Sequence, residues 1–173
     1  DEVSYDTMGN LICRRKGNGP RVMFAAHMDS IGLVATHIDE KGFVHVGAIG
    51  GVSPLKVLHT PVRFQNGAHG LIGADEGAEL AKLKMSDLFI DVGAASREEA
   101  ERLVRVGDTA VYDTRMAEAG GRAISPYMDD RVSCLVLLMA MEKISQTDND
   151  LYFVFTTQEE VGLRGAKTAA WAI

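Results

Sequence analysis

Hydrophobic positions along the chain follow two regimes. Near both ends they form continuous runs, within residues 21–26 and in Leu151-Tyr-Phe-Val-Phe155. Such runs are too short for a helix core and suit strands buried on both faces, as in a mostly parallel sheet. Residues 10–15 read as a further strand, with a turn-rich segment at 16–20. Residues 132–144 are apolar almost all round, which predicts a buried helix packed on that sheet. Residues 33–38 and 43–46 read as a hairpin, with Asp39-Glu-Lys-Gly42 as its turn.

From Gly50 to about Gly121 the pattern breaks up. Short β-like pieces at 60–64, 70–73, 88–92 and 109–112 are separated by glycines and charged turns. One helix interrupts them: Ser96-Arg-Glu-Glu99 is a capping box, Ala100, Leu103 and Val104 give an apolar stripe, and Gly107 can end it. Many short strands with one helix predict a small barrel or sandwich. Residues 66–85 carry little strand pattern and read as a mobile surface loop. The predicted fold class is therefore α/β. A domain with a mostly parallel sheet and helices takes residues 1–50 and 119–173, and a β-rich barrel domain is inserted at 51–118.

Where the apolar elements stop, polar clusters begin. His27-Met-Asp29 follows one strand, Asp129-Asp130 precedes the long helix, and Gln158-Glu-Glu160 follows the other strand. In open α/β sheets ligands gather at the carboxyl ends of strands. Taken singly, each cluster has an ordinary reading: a satisfied histidine, a helix cap, a solvated glutamate pair. Three together, each at the end of an apolar element, point to one site. Histidine and carboxylates without cysteine suit zinc, cobalt or manganese in a hydrolytic centre, and a bridging carboxylate can hold two such ions. Asp29 stands where it could hold the second ring nitrogen of His27 and fix its tautomer.

Composition narrows the classes. A net charge of −6 disfavours nucleic acid and anionic membranes as partners. No apolar run is long enough to span a bilayer, and the first residues form no signal peptide. Cys13 and Cys134 build neither a disulfide framework nor a metal pair, so a reducing cytoplasm is expected, with Cys134 as a buried free thiol. Both ends look cut, as if the 173 residues were part of a longer polypeptide.

Ala26-His-Met-Asp-Ser-Ile-Gly32, Met128-Asp-Asp-Arg131 and Gln158-Glu-Glu-Val-Gly-Leu-Arg-Gly165 resemble the TET-type metallo-aminopeptidases. That family includes glutamyl and deblocking enzymes, some once labelled endoglucanase M. The resemblance extends through Ile49-Gly-Gly51 and Val106-Gly-Asp-Thr109. It implies removal of the N-terminal residue from short peptides by a metal-activated water, with two divalent ions, zinc or cobalt, as cofactors. His27 would be a terminal ligand of one ion, Asp129 the bridge, and Glu160 a ligand of the other. Glu159 would be the general base, Asp29 would orient His27, and Asp130 would support the ligands. Two more ligands, an Asp and a His, are implied beyond Ile173, because His37, His45, His59 and His69 stand in no matching motif and read as surface or structural. Large homo-oligomers with internal active sites are implied as well. Ser30 and Ser133 depart from the family's usual Glu and Gly, and neither is a proposed ligand. Two rival classes were a metal-independent glycosidase using Glu159 or Glu160 with Asp129, and a non-catalytic oligomerisation module.

Overall fold

The computed structural model describes residues 2–173. They form two compact units: one runs to Ser30 and resumes at Tyr127, and the other is Ile31–Pro126. The first unit opens with β1 (Glu2–Tyr5), β2 (Leu11–Arg15) and β3 (Arg21–His27). The second begins with the hairpin β4 (Gly32–Ile38) and β5 (Val44–Ile49), where Gly42 adopts φ +88. A single helical turn, α1 (Pro54–Val57), leads to β6 (Pro61–Phe64), β7 (His69–Ala74) and β8 (Leu88–Asp91). Then come α2 (Arg97–Leu103), β9 (Thr109–Tyr112) and a separate small hairpin, β10 (Ala117–Ala119) with β11 (Arg122–Ile124). The chain returns to the first unit through α3 (Met128–Lys143), β12 (Asp150–Thr156) and α4 (Arg164–Ala172).

In the second unit six strands close into a barrel in the order β4-β5-β8-β7-β6-β9. Closure removes sheet edges, and alternation along each strand fills the interior. Val62, Phe64, Ile72, Leu88 and Ile90 point inward with no exposed surface, while Arg63 and Asp91 between and beside them face out. The α2 helix adds Ala100 and Val104 to this core. The Ser96 hydroxyl caps its start as predicted, accepting from Glu99 N–H, but the Glu99 carboxylate reaches one residue further back than a capping box requires, to Ala95 N–H at 2.9 Å. The contact-defined unit, 31–126, includes the β4–β5 hairpin, which the sequence reading had placed outside an insertion at 51–118. Residues 66–85, read as a mobile loop, contain β7 and one short 3₁₀ turn, Leu80–Lys82.

The sheet of the first unit has the order β1-β2-β12-β3, and here the expected strand direction fails. Only β12 and β3 run parallel; β1–β2 and β2–β12 are antiparallel, as is every pair in the barrel. The molecule remains α/β with an inserted barrel, but its sheets are mostly antiparallel. The apolar run of β12 correctly signals burial on both faces. Burial of that kind depends on what covers a strand, and says nothing about the direction of its neighbours. Leu151, Phe153 and Phe155 pack with Leu11, Cys13 and Val22, and beneath Cys134, Leu137, Ala140 and Met141 of α3. Val154, on the opposite side of the strand by alternation, is fully buried too.

The α3 helix departs from expectation in a second way. None of its residues is fully buried, and Val132, Leu135, Val136, Leu138 and Met139 are 45–58 % exposed. Its uniform apolarity predicted burial all round, but one side alone meets the sheet. Cys134 accordingly sits half-buried rather than buried.

One ion pair ties the sheet together. Arg14 of β2 grips Asp150 at the start of β12 through two hydrogen bonds of 2.9 and 2.8 Å. Hydrogen bonding from Arg14, with help from the Tyr152 hydroxyl, holds the Asp150 carboxyl at about 2 against an ordinary 3.8. A carboxyl depressed in the folded state binds fewer protons than in the unfolded chain between those values, so stability rises with pH there. The contribution is complete above the ordinary value and is lost as pH falls toward about 2. The expected result is that Asp150→Asn melts below the parent at pH 5, and that the gap narrows steadily toward pH 2. Thermal melts across that range check it; a constant gap would contradict the pairing.

Candidate metal centre

Parallel pairing of β3 with β12 sets Thr156 opposite His27, so both strands end at one edge. The Met28 N–H continues the ladder to the Thr156 carbonyl at 2.8 Å. From that edge the chain after β12 carries Glu159 and Glu160, and the chain after β3 carries Asp29. The α3 helix packs against β3 and brings Asp129 and Asp130 to the same place. Both aspartates have non-helical backbone angles, and the peptide bond between them is cis.

His27 lies at the centre and is 8 % exposed. Its Nδ1 is 3.0 Å from the Asp29 carbonyl oxygen and 3.8 Å from the Asp29 carboxylate. On the far side of the ring, Nε2 is 3.0 Å from Asp129 Oδ1 and 3.6 Å from Glu159 Oε2. An Nδ1–H donating to a backbone carbonyl leaves the Nε2 lone pair directed at the carboxylates, the tautomer a metal ligand needs. His27, Asp129 and Glu160 each offer one ligand atom, and these atoms all lie within 4.8 Å of one another.

At the second ring nitrogen of His27 the group at hydrogen-bond distance is the Asp29 backbone carbonyl, and the carboxylate holds other partners. Asp29 Oδ1 accepts from Glu159 N–H at 3.1 Å, and Oδ2 from Glu160 N–H at 3.2 Å. Asp130 Oδ2 lies 3.4 Å from the His27 N–H, and the Cys134 thiol donates to the His27 carbonyl at 3.2 Å.

The electrostatics suit a cation. Burial opposes a charged His27, yet the Asp29 carbonyl, the Asp129 carboxylate and the charges of Glu159 and Asp29 together push its pKa up. Burial also raises the Glu160 carboxyl, with Asp129, Glu159 and Asp29 adding to the rise and His27 opposing it. Four carboxylates thus crowd one partly buried imidazole. A divalent ion among His27, Asp129 and Glu160 would relieve that repulsion, and a nitrogen-and-oxygen donor set fits zinc or cobalt chemistry.

The other histidines lie in the barrel unit, apart from this cluster in the chain. His69 pairs with Asp113 at 2.8 Å, and His45 lies 3.4 Å from Asp39 and across the ladder from His37. Asn10, which the sequence reading assigned to no more than a strand start, is fully buried and bonds into the segment carrying Glu159 and Glu160. Its signal was its position: a polar residue between a Met-Gly turn and an apolar strand.

The family model described as M42 glutamyl aminopeptidase matches residues 9–173. The lysyl aminopeptidase of Pyrococcus furiosus is 39 % identical over 190 residues, an alignment covering 100 % of this chain and 54 % of that protein. An aminopeptidase structure from the archaeon Desulfurococcus kamchatkensis superposes with a TM-score of 0.90 at 43 % identity, over 99 % of this chain and 50 % of that one. The TET1 peptidase of Pyrococcus horikoshii, described as assembling into a tetrahedron or a large octahedral shell, superposes with a TM-score of 0.83 at 34 % identity, over 98 % and 55 %. The chain spans about half the length of the curated relatives it matches.

Proposed function

The chain belongs to the M42 glutamyl aminopeptidase family, and we propose that it supplies the His27, Asp129 and Glu160 side of a metal-dependent aminopeptidase centre. The observation that carries the reading is the convergence of those three ligand atoms within 4.8 Å around a buried imidazole. A bound divalent ion there would supply Lewis acidity, lowering the pKa of water and polarising the carbonyl of the first peptide bond.

This chain's own residues would do the rest. Glu159, whose carboxylate lies 3.6 Å from His27 Nε2, takes the proton from the attacking water and returns it to the leaving amine. Asp29 fixes the backbone of both glutamates, and its carbonyl fixes the His27 ring. Asp129, 83 % exposed with one oxygen toward His27, would be the carboxylate shared between two ions. The full reading has two ions of zinc or cobalt, the second of which would need further ligands, an Asp and a His by the resemblance.

The same reading proposes short peptides as substrates, with homo-oligomeric assembly as described for the Pyrococcus horikoshii relative. The inserted barrel would serve assembly. Among the described residues no helix is long and apolar enough to cross a membrane. We assign the protein to the cytoplasm, where its free thiols Cys13 and Cys134 stay reduced.

The test is hydrolysis of amino-acid p-nitroanilides by the intact protein. Activity suppressed by a chelator and restored by zinc or cobalt is the expected result. Hydrolysis that persists unchanged in the chelator would overturn the metal-dependent reading.

A further inference from the structure

Glu159 and Glu160 sit on a short loop, residues 157–165, folded tightly on itself. The Glu159 carbonyl accepts from Gly162 and Leu163 N–H, and the Thr157 carbonyl accepts from Gly165 N–H. Gln158 adopts φ +56 and Leu163 φ +59, left-handed conformations that non-glycine residues seldom hold without support.

A single buried amide spans the two ends of this loop. Asn10 has no exposed surface. Its Oδ1 accepts from Thr157 N–H at 2.9 Å, and its Nδ2 donates to the Gly165 carbonyl at 2.9 Å. The second Nδ2 hydrogen goes to Asp6 Oδ2 at 2.6 Å. Asp6 is held in turn, its Oδ1 accepting from Met8 and Asn10 N–H at 2.9 Å each. The orientation of the amide is unambiguous, because two of its three partners are acceptors and the third is a donor. Thr157 adds a hydroxyl bond to the Met8 carbonyl at 2.8 Å.

The loop is therefore gripped at two levels. Asn10 fixes where it leaves the strand and where it enters α4, and the Asp29 carboxylate holds the amides of Glu159 and Glu160 at its apex. A fully buried amide is costly unless satisfied, and every side-chain bond Asn10 makes goes to this loop or to the turn facing it. We propose that Asn10 is a positioning residue for the metal centre, acting through Thr157 and Gly165 to fix the backbone that presents Glu159 and Glu160. The inference rests on the metallo-aminopeptidase reading.

The chemistry supplies a discriminating variant. Asn10→Asp keeps size and shape but sets a carboxylate against Asp6 and removes the donor to Gly165. Asp6→Asn together with Asn10→Asp removes that clash by reversing the Asp6 bond; the Thr157 N–H keeps an acceptor in both variants, and the Gly165 bond is unmade in both. In the intact, zinc-loaded protein, Asn10→Asp lowers kcat about 10- to 100-fold with KM within about twofold, and zinc affinity falls about tenfold in chelator competition. The double variant, still lacking the Gly165 bond, recovers only the part of both losses that came from the clash with Asp6. Its Co(II)-substituted form has a visible spectrum between those of the parent and of Asn10→Asp.

A purely structural Asn10 would give another pattern. Asn10→Asp would then melt lower while kcat, zinc affinity and the Co(II) spectrum of the folded protein stayed at parent values, and the inference would be overturned. Glu159→Gln, run alongside, separates the two levels. If it keeps full activity, the aminopeptidase reading fails; if it is inactive while Asn10→Asp is unaffected, the positioning role alone fails.

Discussion

Glu159→Gln lowers kcat for p-nitroanilide hydrolysis by about 10²–10⁴-fold and leaves the metal content of the protein unchanged. The carboxylate of Glu159 is partly exposed beside the His27 ring, with Nε2 3.6 Å from Oε2. Its backbone N–H is held by Asp29. An amide at the same position keeps the shape and the backbone anchor but has no basic oxygen to receive a proton. His27, Asp129 and Glu160, the three candidate ligands, are untouched. A loss confined to kcat is thus expected, with zinc stoichiometry by chelator titration as the companion measurement. Parent-level activity would remove Glu159 from the proposed mechanism. Loss of zinc along with activity would make it a ligand instead.

Gly165→Ala destabilises the protein by about 1–3 kcal/mol or more, and zinc loading falls with it. Propensity alone argues the reverse, since alanine in place of glycine within a helix stabilises by about 1 kcal/mol. Gly165 lies in the first turn of α4, where a methyl group would run into the Asn10 carbonyl oxygen and the backbone of Thr157. Neither can yield, because each is committed to hydrogen bonds in the loop below the metal centre. Gly51→Ala is the matched control: nothing lies within 4 Å of the added carbon, so its melting point should stay near the parent's. Equal melting points for the two variants would show that the close packing at Gly165 carries no energetic weight.

The legibility of this molecule divides along the range of the interactions involved. The strands β2, β3 and β12 and the Ser96 cap of α2 were readable because each depends on a few adjacent residues. Convergence of His27, Asp129 and Glu160 was readable as an expectation because each cluster sits at the end of an apolar element. Strand direction was not readable, since β12 shows the same apolar run whether β2 beside it runs parallel or antiparallel. The open side of α3 was not readable either: Leu135 and Leu137 are alike in sequence, yet the first is 55 % exposed and the second packs on the sheet. Asn10 escaped for a related reason. Its partners are Asp6, four residues away, and Gly165, 155 residues away, and no local pattern announces the second. Asp29 shows the same limit at finer scale, because only geometry decides which of its oxygens meets His27.

The order of strands in the first sheet also bears on how fast the chain can fold. Asp150 must find Arg14 across a separation of 136 residues before β12 can join β2, a connection that on its own implies slow closure. The barrel shortens that search. Its first strand, β4, lies against its last, β9, with Leu33 opposite Ala110, so a barrel formed early brings the two ends of the intervening chain together. The effective loop then shrinks to less than half, and because closure entropy grows with the logarithm of length, the barrier falls by at least about 0.6 kcal/mol. The inserted unit thus acts as a staple in time, and weakening its interior, at Phe64 or Ile90, should slow the docking of a strand that belongs to the other unit.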